Sequence, residues 1–180
     1  MMTELQTVRF KTDKTFEDVT KQVEKIGAIF KGYYSQLEEY YDNETNALNK
    51  NNKELCITQQ DPLEDEYRQL STWMLKINKN GNPISSILTT TQMTDILYEL
   101  GFFPVTVLQR FVKRYRFEKS SISVCKLPYY GTIIELKSGN KEILSKIIEL
   151  LNLKNKLKKT DKQLAEEYCK KFDKEMLSWE

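Results

Sequence analysis

Histidine is missing altogether from the 180-residue chain. That removes Ser-His-Asp triads, Cys-His dyads, imidazole metal ligands and the usual general base near neutral pH. Glycine is scarce, with six residues at 27, 32, 81, 101, 131 and 139. They form neither G-x-G-x-x-G nor G-x-x-x-x-G-K-[ST], so no glycine-rich loop is available to cradle phosphate. The three cysteines, Cys56, Cys125 and Cys169, are odd in number and contain no C-x-x-C. This argues against a disulfide framework and a zinc site, and they read as reduced packing residues. No apolar run approaches the roughly 18 residues of a spanning helix, and the amino end has no basic segment followed by an apolar one. A cytoplasmic chain with no membrane partner is the expectation.

Charge of one sign is also lacking: 28 basic side chains face 26 acidic ones, leaving a formal net charge of +2. No global field draws the chain to nucleic acid, so any preference for anions has to be local. Apolar residues make up 39% of the chain, enough to bury a core in one domain over residues 1–180.

Residues 5–11 alternate, with Val8 and Phe10 on one side and Thr7, Arg9 and Lys11 on the other, as in a half-buried strand. Thr15 and Asp18 then open a helix carrying Phe16, Val19, Val23 and Ile26, which Gly27 ends. Further strands are expected at 30–41, 54–60, 72–77, 84–90, 104–117, 122–126 and 132–137. An Asn-rich loop spans 42–53, an acidic connection 61–71 and a turn Asn80-Gly81-Asn82-Pro83. Helices are expected at 92–100 (Met93, Ile96, Leu97, Leu100), at 141–151, and after a Thr160/Gln163 capping box (Leu164, Tyr168, Phe172, Met176). About eight strands, several joined by short turns and interspersed with helices, predict an α+β domain. Its antiparallel sheet is expected to be a closed or nearly closed β-barrel with helices packed outside.

The face opposite the apolar stripe of several strands carries Arg9, Lys11, Lys76, Arg110, Arg114, Arg116 and Lys137, with Glu135 among them. Unit like charges ~4 Å apart repel by about 4 kcal/mol at an effective dielectric of 20, so such a cluster inside a closed sheet would call for an anion. The plainer explanation is a solvated sheet face whose basic residues keep the protein soluble. Arg110-Phe-Val-Lys-Arg-Tyr-Arg116 has the basic, aromatic-interleaved look of a nucleic-acid surface. The near-zero net charge and the lack of an RNP-type pattern argue against that partner.

These segments together resemble the CYTH superfamily, the triphosphate tunnel proteins that include class IV adenylyl cyclases and thiamine triphosphatases. Thr7-Val-Arg-Phe-Lys11 stands where that family has E-x-E-x-K, and Gly27-Ala28-x-Phe30 and Gln36-Leu-Glu-Glu-Tyr-Tyr-Asp42 follow, the latter similar to Q-x-D-x-Y-F-D. Leu100-Gly-Phe102 precedes a basic strand. Cys125-Lys-Leu-Pro-Tyr-Tyr-Gly131 with Ile134-Glu135-Leu136-Lys137 resembles D-x-V-x-G-L-G and its E-I-E. Tyr168 and Phe172 are similar to the closing S-Y-x-x-L-L, with Glu167 in place of the serine.

The resemblance implies a closed antiparallel barrel in which paired glutamates hold magnesium or manganese and basic residues grip a triphosphate. Thr7, Arg9 and Lys137 occupy carboxylate positions of that pattern, Cys56 and Thr58 stand where arginines are expected, and Asn78 stands near an expected lysine. A cation in place of an oxygen ligand ~4 Å from a divalent ion contributes repulsion of about 8 kcal/mol at the same dielectric. The leading expectation is therefore a CYTH-like protein that binds a nucleotide or other oligophosphate in a basic lumen, its metal catalysis lost. The enzyme alternative is a divergent cyclase or triphosphatase. In it Glu135, with Glu38, holds one magnesium or manganese ion and Lys11 stabilises charge developing on phosphate. The third alternative is a scaffold that binds a protein partner through Tyr129, Tyr130 and Trp179.

Overall fold

In the computed structural model, residues 6–64, 70–79 and 82–172 are described. Leu5, residues 65–69 of the acidic connection, Asn80-Gly81, Met176 and Trp179 lie outside them. The elements run β1 (Gln6–Thr12), α1 (Phe16–Lys25), β2 (Ile29–Asp42), α2 (Ala47–Lys50), β3 (Lys53–Pro62), β4 (Thr72–Lys79), β5 (Asn82–Thr89), α3 (Gln92–Glu99), β6 (Phe103–Phe117), β7 (Ser120–Leu127), β8 (Gly131–Ser138), α4 (Lys141–Leu150), β9 (Asn155–Lys156) and α5 (Asp161–Phe172). Among the described residues no helix is long and apolar enough to cross a membrane.

The strands form one nine-stranded sheet in the order β5-β4-β3-β2-β6-β7-β8-β1-β9. Among the described residues the order ends in two edges, because β5 and β9 are not paired with each other. The expected closed barrel, and with it a triphosphate tunnel or basic lumen, is therefore corrected to an unclosed antiparallel sheet with helices outside. Closure needs an unbroken ladder between the first and last strands. Among the described residues the ladder stops at β9, whose two residues pair with Phe10 and Lys11. Counting strands and short turns does not reveal where the last strand goes.

By compactness the chain divides into a first unit of residues 1–34 and 110–158 and a second of residues 35–109 and 159–180. In the first unit, α1 and α4 cover one face of strands β6, β7, β8 and β1. Phe16, Val19 and Val23 of α1 and Leu144 and Ile147 of α4 pack with Phe10, Tyr115, Ile122, Val124, Ile134 and Leu136. Each such side chain contributes at most about 1.5–3 kcal/mol by leaving water. The buried Tyr115 keeps its hydroxyl satisfied by donating to Glu24 Oε1 at 3.0 Å. At the start of α1, the Thr15 hydroxyl accepts from the Asp18 N–H at 3.1 Å. Gly27, at φ +85°, takes the left-handed conformation that a larger residue would resist.

In the second unit, Leu97 of α3 packs on Tyr41, Leu55 and Ile57, flanked by Trp73, Leu75 and Phe102. Burial pushes the Tyr41 phenol pKa up, as does its hydrogen bond to Glu39, so it stays a donor to Glu39 Oε2 at 2.8 Å. The Asn-rich connection is more ordered than a plain loop. Its end is wound into α2 around Asp42, a buried carboxylate that accepts N–H bonds from Asn43, Leu48 and Asn49 at 2.8, 3.0 and 2.9 Å. Thr160 and Gln163 exchange the two bonds of a capping box, at 3.0 and 3.3 Å, and so start α5.

Candidate functional site

Strand pairing in the first unit turns isolated positions into rows. Arg114 lies opposite Ser123, Ser123 opposite Glu135, and Glu135 opposite Arg9. One step along, Arg116, Ser121, Lys137 and Thr7 make a second row, and Val112, Cys125, Ile133 and Lys11 a third. Directly opposed residues share a face, so these rows lie on the side away from α1 and α4. The face grades from buried at Val112, Cys125 and Ile133 to exposed at Arg116, Ser121 and Lys137.

Glu135 stands between two cations, with Oε1 2.9 Å from Lys137 Nζ and Oε2 3.8 Å from Arg9 Nε. Arg114 lies over the Tyr34 ring at 5.0 Å and Lys11 over the Tyr130 ring at 4.1 Å. Both are cation–π distances, which hold the charges at this face. Gly32 supports this arrangement, because a Cβ there would meet the Tyr34 hydroxyl. Arg110 belongs to the same side of β6 by alternation and is buried. Of the predicted residues, Arg9, Lys11, Arg110, Arg114, Arg116, Lys137 and Glu135 thus occupy one unit and one side of its strands.

Lys76 belongs to the second unit. It lies opposite Cys56 on β3, and its Nζ is 3.8 Å from Glu38 Oε1. Glu38 is buried and accepts from Gln36 Nε2 and from the Tyr40 hydroxyl, each at 2.8 Å. Gln36, Glu38 and Tyr40 alternate along β2, so one strand supplies both the carboxylate and two of its donors. Sequence reading took Glu38 for a possible metal ligand and overlooked these donors, along with Ser123 and Tyr34. The signal was the run Gln36, Glu38, Tyr40 and Asp42, polar groups at every second position of one strand.

A divalent ion does not fit the donors present. Glu135 is flanked by Arg9 and Lys137, so an ion on its oxygens would meet two positive charges where oxygen ligands are needed. Among the described residues, no three His, Cys, Asp or Glu side chains come together as a metal-binding group.

No family model and no curated protein matches the chain. Solved structures do. The PH1819 protein of Pyrococcus horikoshii OT3 superposes with a TM-score of 0.76 and 16% identity, over 92% of this chain and 98% of that one. A candidate adenylate cyclase of Vibrio parahaemolyticus gives 0.70 and 11%, covering 89% and 96%. A candidate adenylyl cyclase of Hippeastrum, described as having a dominant triphosphatase activity, gives 0.62 and 9%, covering 94% and 95%. The likeness agrees with the CYTH resemblance of the sequence and extends over nearly the whole chain. At these identities it establishes a shared fold.

Proposed function

We propose that the chain binds a phosphate-bearing anion, a nucleotide or another oligophosphate, on the polar side of β1, β8, β7 and β6, and does so without turnover. One observation carries this reading: Arg9, Lys11, Arg114, Arg116 and Lys137 come from three strands onto one face whose rows hold a single carboxylate, Glu135. Phosphate oxygens would take charge-assisted hydrogen bonds from these groups, each stronger than a neutral one. The fold shared with cyclase-like and triphosphatase proteins favours the same ligand class. Metal-dependent cleavage, by contrast, would require oxygen ligands where Arg9 and Lys137 stand.

Calorimetry with inorganic triphosphate and ATP tests the proposal. Arg114→Ala should weaken binding about tenfold, the equivalent of one charge-assisted hydrogen bond of ~1.5 kcal/mol. Lys21→Ala, on an exposed position of α1, should leave it unchanged. Absence of heat with either compound, or equal losses in both variants, would end this reading. Phosphate release from ATP with magnesium or manganese, abolished by Glu135→Gln, would show that the site turns its ligand over.

A further inference from the structure

The two edges of the sheet are built differently. At one end, β9 is two residues long and lies in a segment whose Lys154, Lys156 and Lys158 are all exposed. Short length and lysines are the usual means of keeping a strand edge from pairing with another chain. At the other end, β5 is eight residues long, Asn82-Pro-Ile-Ser-Ser-Ile-Leu-Thr89, and carries no charged side chain. It pairs with β4 on one side, and among the described residues the strand order ends there. Ile84, Ile87 and Leu88 are 58, 53 and 76% exposed, so apolar side chains stand in water on both faces of the strand. Ile77 of β4, opposite Ser85, is also exposed and extends the apolar surface.

We propose that β5 is a dimerisation edge, occupied by β5 of a second copy of this chain in antiparallel register about Ser86. The backbone groups along the outer side of an edge strand call for an extended partner, and the sequence of β5 complements itself under a two-fold axis. With Ser86 opposite Ser86, Ile84 meets Leu88 of the second copy, and Leu88 meets its Ile84. Ile87 and Ser85 meet likewise. Every exposed apolar residue of the strand is then covered or flanked, each contact occurs twice as a two-fold interface requires, and no like charges are opposed. A charged peptide at the same edge would set its charges against Ile84 and Leu88.

Sedimentation equilibrium of the full chain over a concentration series tests this. The wild type should reach dimer mass, and Ile84→Lys/Leu88→Lys should remain monomeric at every concentration with an unchanged circular dichroism spectrum. A second measurement stands if that variant misfolds. In a Cys169→Ser background, Ser86→Cys should cross-link to a dimer under mild oxidation or a short bismaleimide, much faster than Lys21→Cys on α1. A wild type that stays monomeric, a dimer that survives both lysines, or cross-linking of Ser86→Cys no faster than of Lys21→Cys would each overturn the proposal.

Discussion

Glu38 in the second unit and Glu135 in the first are both strand carboxylates with a lysine beside them, and their surroundings assign them different work. Glu38 receives two neutral hydrogen bonds from its own strand and lies 3.8 Å from Lys76, with only 6% of its side chain exposed. Glu135 is met by Arg9 and Lys137 from β1 and β8, and Lys137 is 46% exposed. A buried carboxylate held by neutral donors is committed to the fold. Glu135 is instead shared between two cations, one of them substantially solvated, and under the proposed function it is the group with which a bound anion would compete. Position on a strand and the presence of a lysine do not separate the two cases; the neutral donors and the exposure do.

The contrast can be broken first at Glu38. Glu38→Ala would leave Gln36, Tyr40 and Lys76 without their shared acceptor and should lower unfolding free energy by about 3 kcal/mol. Urea denaturation measures it, and a loss below ~1 kcal/mol would mean that Glu38 is no more structural than Glu135.

Asp42 supplies the next largest effect. Burial raises its pKa, and the three backbone N–H bonds with the nearby Lys162 charge outweigh that, so the net shift is downward. A carboxyl with a depressed folded pKa contributes stability that is present above its unfolded value, about 3.9, and is lost as pH falls through the lower folded value. Asp42→Ala should therefore cost about 2 kcal/mol at pH 7 and flatten the acid side of the stability profile. Parallel wild-type and variant curves below pH 4 would contradict this.

At Glu135 the expected sign in binding is opposite to that of a ligand residue. Glu135→Gln removes the charge competing for Arg9 and Lys137 and should tighten triphosphate binding about fivefold, roughly 1 kcal/mol. Calorimetry showing weaker binding would make Glu135 a participant. The smallest effect belongs to Lys137→Ala, whose stability should change by no more than ~0.5 kcal/mol because its ion pair is substantially solvated.

Much of the local structure was legible. The alternation of Val8 and Phe10 against Arg9 and Lys11 marked β1, and Thr15 with Gly27 bracketed α1 within a residue or two. The Thr160/Gln163 pair marked the start of α5. These signals lie within a few residues of what they specify, and periodicity and capping are short-range physics. The two-residue β9 has no pattern long enough to read. The winding of residues 47–50 depends on Asp42 being buried, which the Asn-rich composition does not announce. Of the candidate site, the identities of the basic residues and their side of the strands were readable. The pairing of Glu135 with Arg9 and Lys137, the Tyr34 and Tyr130 rings beside Arg114 and Lys11, and the commitment of Glu38 to Gln36 and Tyr40 were not.

By itself the sequence determined the alternation of strands and helices, the absence of imidazole chemistry, and the excess of basic residues on one parity of β1, β6 and β8. Tertiary structure alone decided that the sheet ends at β5 and β9 instead of closing, and that Arg9, Glu135 and Arg114 fall into one row. The reason is that periodicity is set by neighbours along the chain. Register, edges and the partners of a buried carboxylate are set by segments far apart in sequence, whose pairing follows from the energy of the whole sheet.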